Sequence, residues 1–429
     1  MTAIASPRIE PFRALHFNAS LVGSLDQVVA PPYDLISPPQ QEELHARNPY
    51  NIVRLELNRD ADPYPSAAST LAQWRNGGAL IRSDKPAFYY YTQRFSHGGR
   101  PLVRHGLIAR IRLEEFAGGR ILPHERTFPK AKEDRLRLLV ATRTNVSSIF
   151  GLYPATSAKL RHLLGQTALS PPMLTATDDN GIVNEVRVLD SPDAISTVQT
   201  ALEAPTILIA DGHHRYETAL EYRRQRHAAE QNPSPQPFDY VMMTLVAFDD
   251  PGLVILPTHR VVRRLPKDAI ARFDERAREH FLVHEFTEAD QFLSALEARR
   301  RHALGVALSG RPGFRLLALR QPANLASAMP DVPAAVRELE VAILHALVFD
   351  QIFGIKPEEV RQGGNLEYTI DAPGALAEVA AGRAAGSFLL NPSTVEDIER
   401  VSSEGATMPE KSTYFFPKLL TGLVLNPLE

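Results

Sequence analysis

Ile207-Leu208-Ile209-Ala210-Asp211-Gly212-His213-His214-Arg215-Tyr216 is the stretch whose reading decides the fold. An apolar run of strand type stops at Asp-Gly, and a helical pattern over Tyr216 to Ala229 follows within a few residues. Such strand-to-helix junctions are the units from which α/β layers are built. The first turn of a helix carries N–H groups with no acceptor inside the helix, and its dipole favours negative charge there. Gly212 allows ligand oxygens to approach the backbone, and the planar fork of Arg215 suits phosphate. Asp211 would repel a phosphate, so it is expected to hold Mg²⁺ or to orient a substrate hydroxyl or amine. The plainer alternative is a helix cap at Asp211 followed by solvated first-turn residues. Consecutive side chains diverge, so His213 and His214 are poor joint ligands for one metal ion.

Outward from this turn, the chain alternates strand and helix patterns. Upstream, Asn51–Leu57 alternates in strand fashion and Tyr64–Asn76 reads as helix. Phe88–Gln93 and Val103–Arg112 flank Gly98-Gly99 as a hairpin with a longer loop, and Lys132–Thr142 has helical spacing. Tyr240–Val246 is an apolar run suited to a buried strand. Past a change near Arg263, Lys267–Phe281, Ala289–Arg300 and Ala334–Phe353 read as helices interleaved with short strands. The expectation is an α/β protein with a mixed sheet, divided into residues 1–265 and a C-terminal α/β region, 266–429.

Length and composition narrow the function classes. A chain of 429 residues is long enough for two domains, and 44% hydrophobic with 23% charged residues is ordinary for a globular protein. The net charge of −3 gives no global pull toward nucleic acid. There is no cysteine, which excludes disulfides, thiolate metal sites and cysteine nucleophiles. Met1 to Pro11 lacks an apolar signal core and no run is long enough to span a membrane, so a cytoplasmic protein is expected. The oligomeric state stays open.

Three further clusters carry chemistry-bearing residues. Pro123-His124-Glu125-Arg126 precedes Arg135, and a glutamate beside cations stays ionised and can accept a hydroxyl proton, or can be an ordinary surface ion pair. Met408 to Lys418 sets Lys411, Ser412 and Thr413 in a proline-bounded loop that is either structural or able to close over an anionic ligand; no glycine-rich run precedes Lys411, so it is not a Walker loop. Val28-Val29-Ala30-Pro31-Pro32-Tyr33-Asp34 is held extended by its prolines and presents Asp34 as a loop tip or a pocket wall.

Ala30–Asp34, Asn48–Asn51, Pro123–Glu125, Ala210–Glu217 and Met408–Lys418 together resemble the bacterial and archaeal domain-of-unknown-function 1015 family, over about Pro11 to Gly422. That name implies no activity. Locally, Asp211-Gly212-His213-His214-Arg215 resembles the motif of the ParB/sulfiredoxin fold, in particular that of the free-serine kinases, which phosphorylate L-serine with ADP or ATP and Mg²⁺. This resemblance implies a ParB/sulfiredoxin-like core over about 105–265, preceded by an N-terminal extension and carrying an insertion over about 153–203. It implies Glu125 as the base, Asp211 on Mg²⁺ or the substrate amine, and Gly212, His213, His214 and Arg215 on the phosphates. His124, Arg126, Arg135, Asp34, Lys411, Ser412 and Thr413 would be accessory. The absence of cysteine excludes sulfiredoxin chemistry, and no basic helix-turn-helix follows the turn. The expected function is a nucleotide-dependent kinase acting on a small-molecule hydroxyl. A nucleotide-binding regulatory or partner-binding protein is the alternative, and a phosphohydrolase or nuclease the third reading.

Overall fold

The computed structural model describes residues 8–125, 129–230, 235–321, 325–356, 359 and 364–429. The chain forms two compact units, one of Met1–Pro123, Thr127–Leu253 and Pro417–Glu429, the other of His124–Arg126 and Val254–Phe416. Among the described residues, no helix is long and apolar enough to cross a membrane.

The first unit is built on a nine-stranded mixed sheet. In chain order its strands are β1 (Ile9–Glu10), β2 (Phe88–His97), β3 (Arg100–Arg112), β4 (Ile121–Pro123), β5 (Ile149–Tyr153), β6 (Leu174–Thr177), β7 (Val183–Leu189), β8 (Ile207–Asp211) and β9 (Tyr240–Ala247). They lie in the order β4-β8-β5-β9-β3-β2-β7-β6, with β1 also on β3. β8 runs parallel to β4 and antiparallel to β5, and β5 runs parallel to β9. This is the mixed α/β sheet expected from the sequence.

The helices of this unit include α1 (Pro38–Arg47), α2 (Val53–Glu56), α3 (Pro63–Asn76), α4 (Pro129–Thr142), α5 (Ala158–Thr167), α6 (Pro192–Leu202) and α7 (His213–Glu230). Ile149, Ile207, Ile209, Val241, Met243 and Leu245 pack with Leu160 and Leu164 of α5, Val198 and Leu202 of α6, and Tyr216, Ala219 and Leu220 of α7 in one buried cluster. Period-two alternation would send Asp211 into that cluster beside Ile207 and Ile209. A bulge at Ala210 prevents it: Ile209 faces Gly151 but Asp211 faces Phe150, so one residue is skipped. The extra residue turns Asp211 to the other face of the sheet, away from the apolar core.

Two local expectations fail for identifiable reasons. Asn51–Leu57 is not a strand but the single turn α2, because Asn51 Oδ1 accepts the N–H of Val53 at 3.0 Å while its amide donates to Gln27 O and Val29 O. Ile52, Val53, Leu55 and Glu56 are all buried, so the alternation marks no solvent face. The Gly98-Gly99 hairpin is tighter than expected, since both glycines adopt positive φ (56° and 73°) and His97 pairs directly with Arg100. That is the two-residue turn whose twist suits a hairpin.

The second unit holds an antiparallel six-stranded sheet and a separate strand pair. Its strands are β10 (Val254–Leu256), β11 (His259–Val262), β12 (Phe281–Phe286), β13 (Ala303–Leu308), β14 (Phe314–Leu319), β15 (Leu366–Thr369), β16 (Gly386–Leu390) and β17 (Tyr414–Phe416). The sheet order is β12-β14-β13-β16-β11-β15, and β10 pairs with β17. Phe292 and Leu296 of α8 (Ala289–Ala298) and Leu376 and Val379 of α9 (Ala372–Ala380) close its core over Val261, Leu316 and Leu389. The expected helix over Ala334–Phe353 is broken once, after Ala334–Arg337, because Leu339 is extended (ψ 135°); beyond it the α-helix Glu340–Ile343 runs directly into a π-helix, Leu344–Ile352.

The break at Leu339 buries Glu340, whose Oε1 accepts the N–H of His302 at 2.8 Å. Burial, with a smaller push from Asp397, raises its carboxyl to about 7. A folded-state pKa above the unfolded value adds stability at low pH, and that stability is lost as pH rises toward 7. The stability of this unit is therefore expected to fall by on the order of 2–3 kcal/mol between pH 4.5 and 7.5. Urea titrations across that range should show the slope flattened in Glu340→Gln; an unchanged slope would assign it to other groups.

Candidate functional site

The Asp-Gly turn sits where β8 ends and α7 begins. Gly212 adopts φ +92°, a conformation that side-chain-bearing residues rarely take, and precedes the first helical residue, His213. A Cβ at Gly212 would stand 2.9–3.0 Å from the guanidinium of Arg215. The glycine thus serves two purposes: it makes the turn, and it leaves space for Arg215 to fold back over it. Tyr216 anchors the helix start, with its hydroxyl donating to Glu114 O at 2.8 Å and accepting from Glu114 N at 3.0 Å. His213 is buried and His214 half-buried.

Arg215 is the centre of this arrangement. Its Nη1 donates to Ser148 O, which fixes the plane of the fork. Nε is buried and has no hydrogen-bond partner among the described residues. Nη2 lies 3.9 Å from Asp211 Oδ1, an ion pair too long to be a hydrogen bond. The Nε–Nη2 edge is therefore oriented but has no acceptor within hydrogen-bond distance among the described residues. This edge is one of those with which arginine grips a carboxylate or phosphate through two parallel bonds.

Asp211 meets a second cation that sequence reasoning does not single out. Lys418 Nζ donates to Asp211 Oδ2 at 3.0 Å. Burial pushes the Asp211 carboxyl up, but the charges of Lys418 and Arg215, the Lys418 hydrogen bond and His213 outweigh it, and the group is held well below the usual carboxylate range. Lys418 is presented by the returning tail, Pro417–Glu429. Gln93 Nε2 donates to Lys418 O at 3.0 Å, and Nη2 of the buried Arg104 donates to Pro417 O. Further along, Thr421 and Ala30 exchange backbone hydrogen bonds at 2.9 and 3.1 Å, and Leu425 does so with Leu15. The only sequence signal for Lys418 is its place at the end of the Met408–Lys418 motif, since it and Asp211 are 207 positions apart.

Tyr33, Arg135 and Glu56 flank the same turn. Arg135 is buried and pairs with the buried Glu56 at 2.7 Å and with Asp134 at 2.5 Å, while its guanidinium lies 4.1 Å from the Tyr33 ring centre. Burial pushes the Tyr33 hydroxyl up to about 12, against the charges of Arg135 and Arg215. Asp34 is exposed beside it. Arg135, Glu56, Arg215 and Thr218 line a cleft of about 50 Å³, the room of a few water molecules.

The remaining expected residues belong to the second unit. Glu125 forms a parallel bridge with Met408, and its Oε1 accepts the N–H of Lys411 at 2.6 Å. Lys411 is exposed and has a positive φ of 54°. The buried Arg260 holds it there, donating from Nη2 to Lys411 O at 3.0 Å. His124, fully buried, contacts Thr413 Oγ1 through Nε2 at 2.9 Å and meets Phe415 edge-on, and Ser412 donates to Pro409 O. Within this unit the structure thus brings together His124, Glu125, Lys411, Ser412 and Thr413. Arg126 lies outside the described residues.

The Asp211 turn can be tested against the magnesium ion that the motif implies. One Asp211 oxygen is bonded to an ammonium, the other faces a guanidinium, and no group of three or more metal-ligating side chains occurs among the described residues. A divalent cation would have to displace or approach two positive charges for a single protein carboxylate, so these residues do not fit an ion held by Asp211.

No characterised protein sequence matches the chain. Among solved structures it is similar to a free serine kinase in complex with AMP, at 12% identity over 72% of this chain and 86% of that one, with a TM-score of 0.36. It is similar also to a conserved hypothetical protein from Pyrococcus furiosus (12% identity, 73% and 92% covered, TM-score 0.35) and to SbnI with C-terminal truncation from Staphylococcus aureus (10%, 73% and 85%, TM-score 0.35). The family described as protein of unknown function DUF1015 matches residues 9–342, and the chain belongs to that family.

Proposed function

We propose that the protein is a nucleotide-dependent phosphotransferase that moves a phosphoryl group from ATP or ADP to the hydroxyl of a small molecule, with free L-serine the acceptor implied by the Asp-Gly-His-His-Arg resemblance. The same resemblance implies a ParB/sulfiredoxin-like core around the turn. The observation that carries the reading is the Nε–Nη2 edge of Arg215, fixed by Ser148 O, folded over Gly212 and, among the described residues, left without an acceptor at the start of an 18-residue helix.

In this reading Gly212, His213, His214 and Arg215 hold the phosphates, and Asp211 orients the amine or hydroxyl of the acceptor. The acceptor oxygen attacks the terminal phosphorus, the bond to the bridging oxygen of the nucleotide breaks, and the hydroxyl proton passes to a base, the role that the resemblance implies for Glu125. Positioning and charge neutralisation supply the rate. Binding without transfer is the second reading, favoured by the engagement of Glu125 Oε1 with Lys411 N–H.

Incubation with ATP or ADP and a panel of amino acids and polyols separates the two. Acceptor-dependent nucleotide turnover that falls about 10²–10⁴-fold in Glu125→Gln, with nucleotide affinity unchanged, is the expected result. Tight nucleotide binding with no product under any acceptor would establish the binding module, and turnover without an acceptor would make the protein a phosphohydrolase.

A further inference from the structure

Asp211 in a phosphate-handling turn invites the role of a magnesium ligand, yet its surroundings are already cationic. Lys418 is bonded to one of its oxygens and Arg215 faces the other. Counted together, Asp211, Arg215 and Lys418 carry one net positive charge at the positive end of α7. Lys418 is not a loose surface lysine. Its carbonyl and that of Pro417 are held by Gln93 and Arg104, both buried, and the segment beyond is paired with Ala30 and Leu15. Arg104 in turn stacks on Phe150, the residue opposite Asp211 in the sheet.

We propose that Lys418 is a phosphate-binding residue that supplies at Asp211 the positive charge a divalent cation would otherwise bring, so that the turn binds nucleotide phosphates without a metal. The inference rests on the phosphate-binding reading above and extends it to the tail of the chain, which the turn motif does not include. The physical basis is the sharing of one ammonium between two anionic acceptors. A compact ammonium with three rotatable donors can keep its bond to Asp211 and donate to a phosphate oxygen at the same time, whereas the planar fork of Arg215 offers the one edge left without an acceptor among the described residues. Asp211 then acts as the anchor that holds Lys418 at the turn while the site is empty, and as an orienting carboxylate when it is filled. Arg104 and Gln93 are positioning residues that act through the backbone of Pro417 and Lys418.

Calorimetric titration of the full-length protein with ADP, in EDTA and in excess Mg²⁺, tests this. The wild-type affinity is expected to agree within about threefold between the two conditions. Lys418→Met should weaken ADP binding in EDTA by about 30-fold, the loss of one charge-assisted hydrogen bond, and Lys418→Arg should recover most of it. Equal melting temperatures of the variants would separate these effects from misfolding. If wild type binds ADP only with Mg²⁺, or if Lys418→Met binds as wild type does in EDTA, this inference fails while the phosphate reading stands. If wild type binds neither ADP nor ATP under either condition, the phosphate reading fails and takes this inference with it.

Discussion

An Arg135→Ala variant is expected to lose about 3–5 kcal/mol of unfolding free energy, the cost of leaving a buried charge without its partner. Glu56 is the group stranded: it is buried, its Oε2 is bonded to Arg135 Nη1, and its own carbonyl accepts Arg135 Nη2 at 3.1 Å. The Tyr33 ring would also lose the guanidinium that packs on it. Arg135 therefore acts first as a structural strut of the cleft beside the turn, whatever it contributes to a ligand. Urea denaturation measures the loss directly, and a double-mutant cycle with Glu56→Gln isolates the pair, since removing both charges should recover part of it. A destabilisation below 1 kcal/mol would mean that water reaches Glu56 in the folded state.

Gly212→Ala carries the second large effect, because the substitution meets two obstacles at once. A positive φ at a residue with a side chain costs on the order of 1–3 kcal/mol. The new Cβ would also stand within 3.0 Å of three atoms of the Arg215 guanidinium, which must swing away. The guanidinium is the flexible end of a side chain, so the steric part is relieved by losing the Arg215 geometry and not by unfolding. With nucleotide binding at this turn as proposed, the expected outcome is a loss of about 1–3 kcal/mol in stability with a disproportionate loss of nucleotide affinity, approaching that of Arg215→Ala. Denaturation and calorimetry on the same preparations check both halves. An alanine variant that keeps wild-type affinity would show that the folded-back position of Arg215 is not the binding position.

Much of the architecture is legible in the one-dimensional pattern, for reasons visible in particular elements. The run Ile207–Ala210 is apolar because β8 is covered by α5, α6 and α7, and the helix after Gly212 starts where only glycine makes the turn without strain. Asn51–Leu57 misleads because alternation normally reports one wet face, and here both sides are buried while Asn51 nucleates a helical turn. Ala334–Phe353 misleads because its apolar positions satisfy a helix throughout, yet Leu339 is extended and the helical stretch breaks there.

The site divides in the same way. The sequence by itself determined that a strand ends in Asp-Gly, that an arginine stands in the first turn of the following helix, and that the chain belongs to the DUF1015 family. These are local facts, set by spacing and by the conformational freedom of one glycine. Only the tertiary structure decided which way Asp211 points, since a single skipped residue in the β8–β5 ladder moves it from the core face to the opposite one. It also decided the charge of the site, because Lys418 reaches Asp211 from the last segment of the chain, and Glu56 neutralises Arg135 from a distant turn. Periodicity reports the face of a local element, whereas an ion pair between remote residues depends on how the whole sheet is ordered.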